Sequence, residues 1–166
     1  MTAIRNGQNL INHDGHGSPN VMGVGQGYLN TIDLDTITNA PRHGIIFSLG
    51  CWTAAFDLSC IAEGWMNNDN GGGVAFVGNS SYGWGSPGNP GFGISDIFDS
   101  RFFYSLLVEN NYHIGEALAM CKFHFIPYSR EKNVYRWHQY QLNLLGDPEM
   151  MVWTALPESL EVATPQ

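Results

Sequence analysis

The sequence predicts an α/β domain built on a largely parallel sheet. Two apolar runs bounded by glycines, "HGIIFSLG" at 43–50 and "GGGVAFVGN" at 71–79, carry that prediction. A strand buried on both faces reads as continuous apolar sequence rather than as alternation. Segments with helical spacing stand between and after the two runs, and such alternation implies parallel neighbours joined by crossovers.

The elements follow in order. "QNLIN" (8–12) is a short extended segment, broken by the Gly, Ser, Pro and Asn of "HDGHGSPN" (13–20), which is expected as a loop. "NTIDLDTIT" suits a short helix begun by Asn30 or Thr31, with Ile32, Leu34 and Ile37 as its apolar stripe. After the first buried strand, "TAAFDLSCIAEGWM" (53–66) is expected as one helix with Phe56 and Cys60 a turn apart on one face. "SYGWGSPGNPGFG" (81–93) is too rich in Gly and Pro for a regular element and forms a loop after the second strand. Helices follow over "SDIFDSRFFYSLLVEN", with Ile94, Phe98, Phe102 and Leu106 spaced by four, and over "HIGEALAMCKFHFI". The second places Ile114, Ala117, Leu118, Cys121 and Phe125 on one face. The aromatic-rich "NVYRWHQYQL" packs against the sheet, and "YQLNLLGDPEMMVW" forms a strand, a Gly-Asp-Pro turn and a second strand.

Composition removes several functions. The 166 residues suffice for one domain with a real core. Only 13% of them are charged, the net charge is −8, and seven Lys and Arg are scattered, with one loose group at Arg130, Lys132 and Arg136. No basic cluster exists to neutralise phosphates, so nucleic acid is not an expected partner. Three cysteines make a poor disulfide framework. No apolar run nears the roughly 20 residues of a membrane span, and the N-terminus shows no signal-peptide pattern. The Pro-containing, non-periodic "ALPESLEVATPQ" at the C-terminus is expected as a linker over 155–166, after a domain at 1–154.

In open α/β sheets the working residues lie beyond the carboxyl ends of the strands. His16 follows the strand at 8–12 and Cys51 follows the strand at 45–49, so neighbouring strands would bring both to one sheet edge. There an imidazole can take a thiol proton, and the thiolate can attack a carbonyl. A helix beginning near Thr53 would favour the thiolate further. Gly17 and Gly50 would admit a substrate backbone, and the amides of Gly17 and Cys51 could stabilise an oxyanion. The same residues also have a structural reading, as a glycine-rich turn and a small core thiol.

The series "NHDGHGS…CWTAAFD…CIAEGWM…GGVAFVGNSS…WG…GEALAMCK…YQLNLLGDPEM" resembles the gingipain family of cysteine peptidases. The likeness runs from about residue 10 to residue 153. The resemblance implies a caspase-like three-layer sandwich with a mostly parallel sheet, in which catalytic His and Cys end adjacent strands. It places His16 as general base, Cys51 as nucleophile, the Gly17 and Cys51 amides as oxyanion donors, and Trp84 as an aromatic wall of the substrate pocket. It implies protein or peptide substrates, no required cofactor, a structural calcium ion without assignable ligands, and a secreted or cell-surface full-length protein. The family's domain carries further strands and a large region before its histidine, so the chain is expected to be the C-terminal part of a larger catalytic domain. The missing N-terminal half is then an expected partner.

The remaining residues take structural readings: Cys60 and Cys121 in the core, Glu63 as an acceptor for loop amides, Asp147 as a turn cap. His13 is a packing or surface residue, Asp14 a weak candidate for orienting His16, and His43, His113, His124 and His138 are structural or exposed. Three rivals stand beside the peptidase. They are a metal hydrolase using His13, Asp14, His16 and Cys51, a caspase-like module without catalysis, and a sortase-like transpeptidase using the same Cys and His.

Overall fold

A computed structural model describes residues 2–155, so most of the expected linker, 156–166, lies outside the described residues. In chain order the elements are α1 (Thr2–Arg5), β1 (Leu10–His13), β2 (Gly17–Ser18), β3 (Val21–Val24), β4 (Gly27–Asn30) and α2 (Thr31–Leu34). They continue with β5 (Gly44–Ser48), α3 (Ile61–Met66), β6 (Gly73–Asn79), α4 (Ile94–Leu107), α5 (Ile114–His124), a 3-10 turn (Ile126–Ser129), α6 (Val134–Gln141) and β7 (Leu142–Gly146).

The main sheet has the order β1-β5-β6-β7. β1 and β6 flank β5 in parallel, and β7 closes the far side antiparallel to β6. The expected central strands are there, and β5 is buried at all five positions, which is why no polar residue but Ser48 interrupts it. Alternate side chains of these strands enter two cores. Ile45, Phe47, Ala75 and Val77 meet α4 and α5 on one face. Ile46 and Phe76 meet Leu34, Ile37, Ala54, Ile61 and Trp65 on the other. The result is a three-layer α/β sandwich.

The periodicity of α4 and α5 is realised. Phe98, Phe102 and Leu106 are buried, as are Ile114, Ala117, Leu118, Cys121 and Phe125, with Phe47–Phe102 centroids 4.7 Å apart and Phe98–Phe125 stacked at 4.2 Å. Asp147 caps its turn by accepting from the Glu149 amide at 2.9 Å, but the strand expected after it is reduced to one bridge between Met151 and His113.

Three expectations are corrected. The helix expected over 53–66 exists only as α3; residues 51–59 form turns, and Phe56 is exposed rather than sharing a face with Cys60. Backbone bonds from Ala54 to Asn79 and from Trp52 to Ser81 tie this stretch to the end of β6, which competes with helix. No helix therefore begins near Thr53. The α2 helix is a single turn that buries Leu34 and leaves Ile32 exposed; Asp33 reaches back to the Asn30 amide at 2.9 Å. Third, the loop expected at 13–20 contains β2 and opens a small antiparallel sheet, β2-β3-β4.

Candidate active site

His13 and Ser48 are paired in register at the carboxyl ends of β1 and β5. Both chains leave the sheet there, and His16 and Cys51 each lie three residues further on. Adjacent strands thus deliver the imidazole and the thiol to one edge, as the sequence predicted. His16 and Cys51 line the same pocket of ≈ 280 Å³ with Asp14, Leu49, Gly83 and Asp96. The thiol faces the Gly83 carbonyl at 3.8 Å.

Two glycines make the approach possible. A Cβ on Gly17 would sit 2.7 Å from Thr53 Cγ2 and 2.9 Å from the Cys51 carbonyl, and one on Gly50 would sit 3.2 Å from Gly17 Cα. The two loops touch backbone to backbone, so any side chain would push them apart. Gly23 N donates to His16 O at 2.8 Å, which ties the backbone of His16 to β3. The Cys51 N–H has no hydrogen-bond partner among the described residues. Immediately after it, Trp52 adopts a left-handed φ of 54°, which turns the chain sharply. That strained conformation is held by the Trp52 amide on Ser81 O at 2.9 Å and by the Trp52–Tyr82 ring contact at 3.9 Å.

Beneath the pocket runs a buried polar scaffold that the sequence did not reveal. Gly23 O can only accept, so His13 Nε2 carries a proton and donates to it at 2.8 Å, and His13 Nδ1 accepts from Ser48 Oγ at 2.9 Å. Ser48 Oγ in turn accepts from the Gly50 amide at 3.2 Å and from Thr53 Oγ1 at 3.1 Å. Asn79, at the end of β6, donates to Leu49 O at 2.9 Å. Burial lowers the His13 pKa, against opposing contributions from the bond to Gly23 and from the Asp14 charge. His13 is thus a packing residue, as expected, and one that ties the His16 loop to the Cys51 loop. The only signal for it was its position at a strand end opposite Ser48.

The other cysteines are core thiols. Cys60 is buried at the start of α3, and burial raises its pKa. Cys121 donates to Phe98 O at 3.2 Å, and burial pushes its pKa up to about 12. The Glu63 side chain accepts none of the loop amides among the described residues, contrary to expectation. Of the four remaining histidines, His138 is buried with Nε2 2.9 Å from Ser95 Oγ, and burial draws its pKa down to about 4.

Trp84 does not line the Cys51 pocket. Gly83 and Gly85 border the thiol pocket, while Trp84 between them lines a neighbouring pocket against α6. The metal-hydrolase rival loses a ligand, because both nitrogens of His13 are engaged. Among the described residues no group of three or more His, Cys, Asp and Glu could hold a metal ion. No described helix is long and apolar enough to cross a membrane.

The three-layer α/β sandwich with its mostly parallel sheet is of the caspase-like class of fold. The chain belongs to peptidase family C25, whose family model matches residues 1–153. A comparison with curated protein sequences found no match. Among solved structures, the Arg-specific cysteine proteinase gingipain R superposes with a TM-score of 0.78 and 22% identity, over 95% of this chain and 36% of that one. The complex of Porphyromonas gingivalis RgpB pro- and mature domains gives 0.74 and 20%, over 94% and 37%. A further protease gives 0.69 and 21%, over 99% and 41%. The chain therefore spans well under half the length of the solved chains it resembles, and at such identities the likeness is one of fold.

Proposed function

We propose that this chain carries the nucleophile and base of a gingipain-like cysteine endopeptidase acting on peptide bonds. The observation that supports it best is the meeting of His16 and Cys51 in one pocket, delivered by adjacent parallel strands whose loops touch at Gly17 and Gly50. In this reading His16 takes the Cys51 proton, and the thiolate attacks the substrate carbonyl carbon. The amides of Gly17 and Cys51 receive the negative oxygen. Collapse of the tetrahedral adduct expels the amine, protonated by His16, and leaves a thioester that water hydrolyses. His16 and the thiol make no hydrogen bond to each other here, an arrangement that substrate commonly tightens. Residues 1–154 would then be one part of a larger catalytic domain of an exported protein, with the rest of that domain as its partner.

The reading is tested on the intact protein by site-resolved alkylation and by peptide hydrolysis. At pH 6–7 iodoacetamide should label Cys51 well before Cys60 and Cys121, and His16→Ala should remove that advantage. Cys51→Ala should lower kcat/KM by roughly a thousandfold or more. Activity that survives Cys51→Ala would overturn the assignment.

A further inference from the structure

The segment Gly83–Gly85 is a partition between two pockets. Its glycines face the thiol, and on the other side Trp84 joins Val134, Trp137, Tyr140, Lys132 and Arg136 around a cavity of ≈ 450 Å³. The walls of this second cavity are aromatic rings and aliphatic stems. The partition is firmly held. Trp84 N donates to Ser95 Oγ at 2.8 Å, and the buried Ser95 hydroxyl is hydrogen-bonded to His138 Nε2 at 2.9 Å. One residue earlier along α6, Trp137 Nε1 donates to Tyr82 O at 3.3 Å. The helix that builds the second cavity thus also fixes the wall of the first.

The two cavities differ in charge. Asp14 and Asp96 line the thiol pocket, whereas Lys132 and Arg136 border the other, and neither cation has a carboxylate partner among the described residues. On a chain of net charge −8 this is a local positive rim around an apolar well. Long cationic side chains place their stems against apolar surface and their heads in water, where they can meet a carboxylate.

We propose that the Trp84–Trp137–Tyr140 cavity is a second substrate subsite, which takes a large apolar side chain of the bound peptide together with an adjacent carboxylate. The proposal rests on the peptidase reading given above. An extended peptide advances about 3.3 Å per residue, and the partition is one residue thick, so the occupant lies within about three residues of the scissile bond. Flat aromatic faces favour a ring.

Cleavage of a diverse peptide mixture by the intact protein, with sites read by mass spectrometry, tests this. Phe, Tyr or Trp beside Asp or Glu should be enriched at one fixed offset from the cut. Replacing that pair by Ala-Gln in a chosen substrate should lower kcat/KM about tenfold or more. Tyr140→Ala and Trp137→Ala should erase the preference for the ring. Lys132→Glu with Arg136→Glu should erase the preference for the acid, worth about two- to fivefold. Tyr140→Ala leaves the Trp137–Tyr82 bond in place and so separates pocket loss from loop disturbance. A preference that is absent, or that persists in every variant, overturns the proposal. If the wild type cleaves nothing, the peptidase reading fails first, and the subsite is judged by tryptophan fluorescence. Quenching by acetyl-Phe-Glu-amide, but not by acetyl-Ala-Gln-amide, that is weakened in Tyr140→Ala sustains it; equal response to both peptides overturns it.

Discussion

At Gly17 and Gly50 two backbones meet with no room for a methyl group. Gly17→Ala would place its Cβ 2.9 Å from the Cys51 carbonyl, a backbone atom with no rotamer to yield. The loops must separate, moving His16 relative to the thiol, and small misplacements of reacting groups are costly. The expected outcome is a loss of about a hundredfold in kcat/KM with a stability loss of about 1–3 kcal/mol, read by peptide hydrolysis and urea unfolding. Wild-type activity in the variant would show that the contact is not required. His16 and Cys51 were legible at this scale because glycine-flanked residues after buried strands are a local signal. Ser48, Thr53 and Asn79 were not, because a buried polar residue declares its role only through partners distant in sequence.

Among the elements, α4 and α5 were read correctly because their apolar spacing is long and uninterrupted. The stretch after Cys51 was misread as helix, since its helix-favouring residues are overruled by backbone bonds to the end of β6. The β2-β3-β4 sheet escaped notice because its strands are two to four residues long and mostly half-exposed. It nonetheless carries Gly23, which fixes both His16 and His13. Phe102 shows how α4 is attached, being buried against Phe47 of β5 with centroids 4.7 Å apart. Phe102→Ala should cost about 3–5 kcal/mol, seen as a lower urea midpoint. Below the transition Cys51 labelling should keep its wild-type rate, because Phe102 lies about two turns along α4 from Asp96, where that helix reaches the thiol pocket. A drop below 1 kcal/mol would mean that the cavity collapses freely.

Across the whole molecule, two buried groups set opposite pH dependences. His138 titrates near 4 in the folded chain, against 6.5 ordinarily, because burial disfavours its charge. As pH falls below 6.5 the unfolded chain takes up a proton that the folded chain refuses. This stability is complete above 6.5 and is lost down to about 4, by roughly 3 kcal/mol. His13 acts in the same direction. Asp99 does the reverse. Burial first, then Asp14 and Asp96, raise its pKa to about 6 against the hydrogen bond from Asn12, and its Oδ1 is buried without a partner. The folded chain binds this proton first as pH falls, so stability rises from pH 6 to 3.8, by at most roughly 3 kcal/mol. Between pH 6 and 4 the Asp99 slope, reduced by solvent screening of this half-buried carboxyl, opposes that of the histidines. Asp99→Asn should expose the histidine slope and steepen the stability loss over that range by at most roughly 3 kcal/mol, measured by urea unfolding at each pH. An unchanged slope would show that Asp99 is ionised when folded.

Sequence alone determined the α/β class with its largely parallel sheet, the central strands and the two long helices, and it marked His16 and Cys51 as the candidate pair. Each of these is written in local spacing: continuous apolar runs, apolar residues four apart, glycines beside reactive side chains. Tertiary structure alone decided where Trp84 points, how short α3 is, and which buried polar groups bind the two loops together. Those outcomes depend on hydrogen bonds between segments 10 to 43 residues apart, such as His13 with Gly23 and Ser95 with His138. Their energies exist only once the sheet has set the segments side by side.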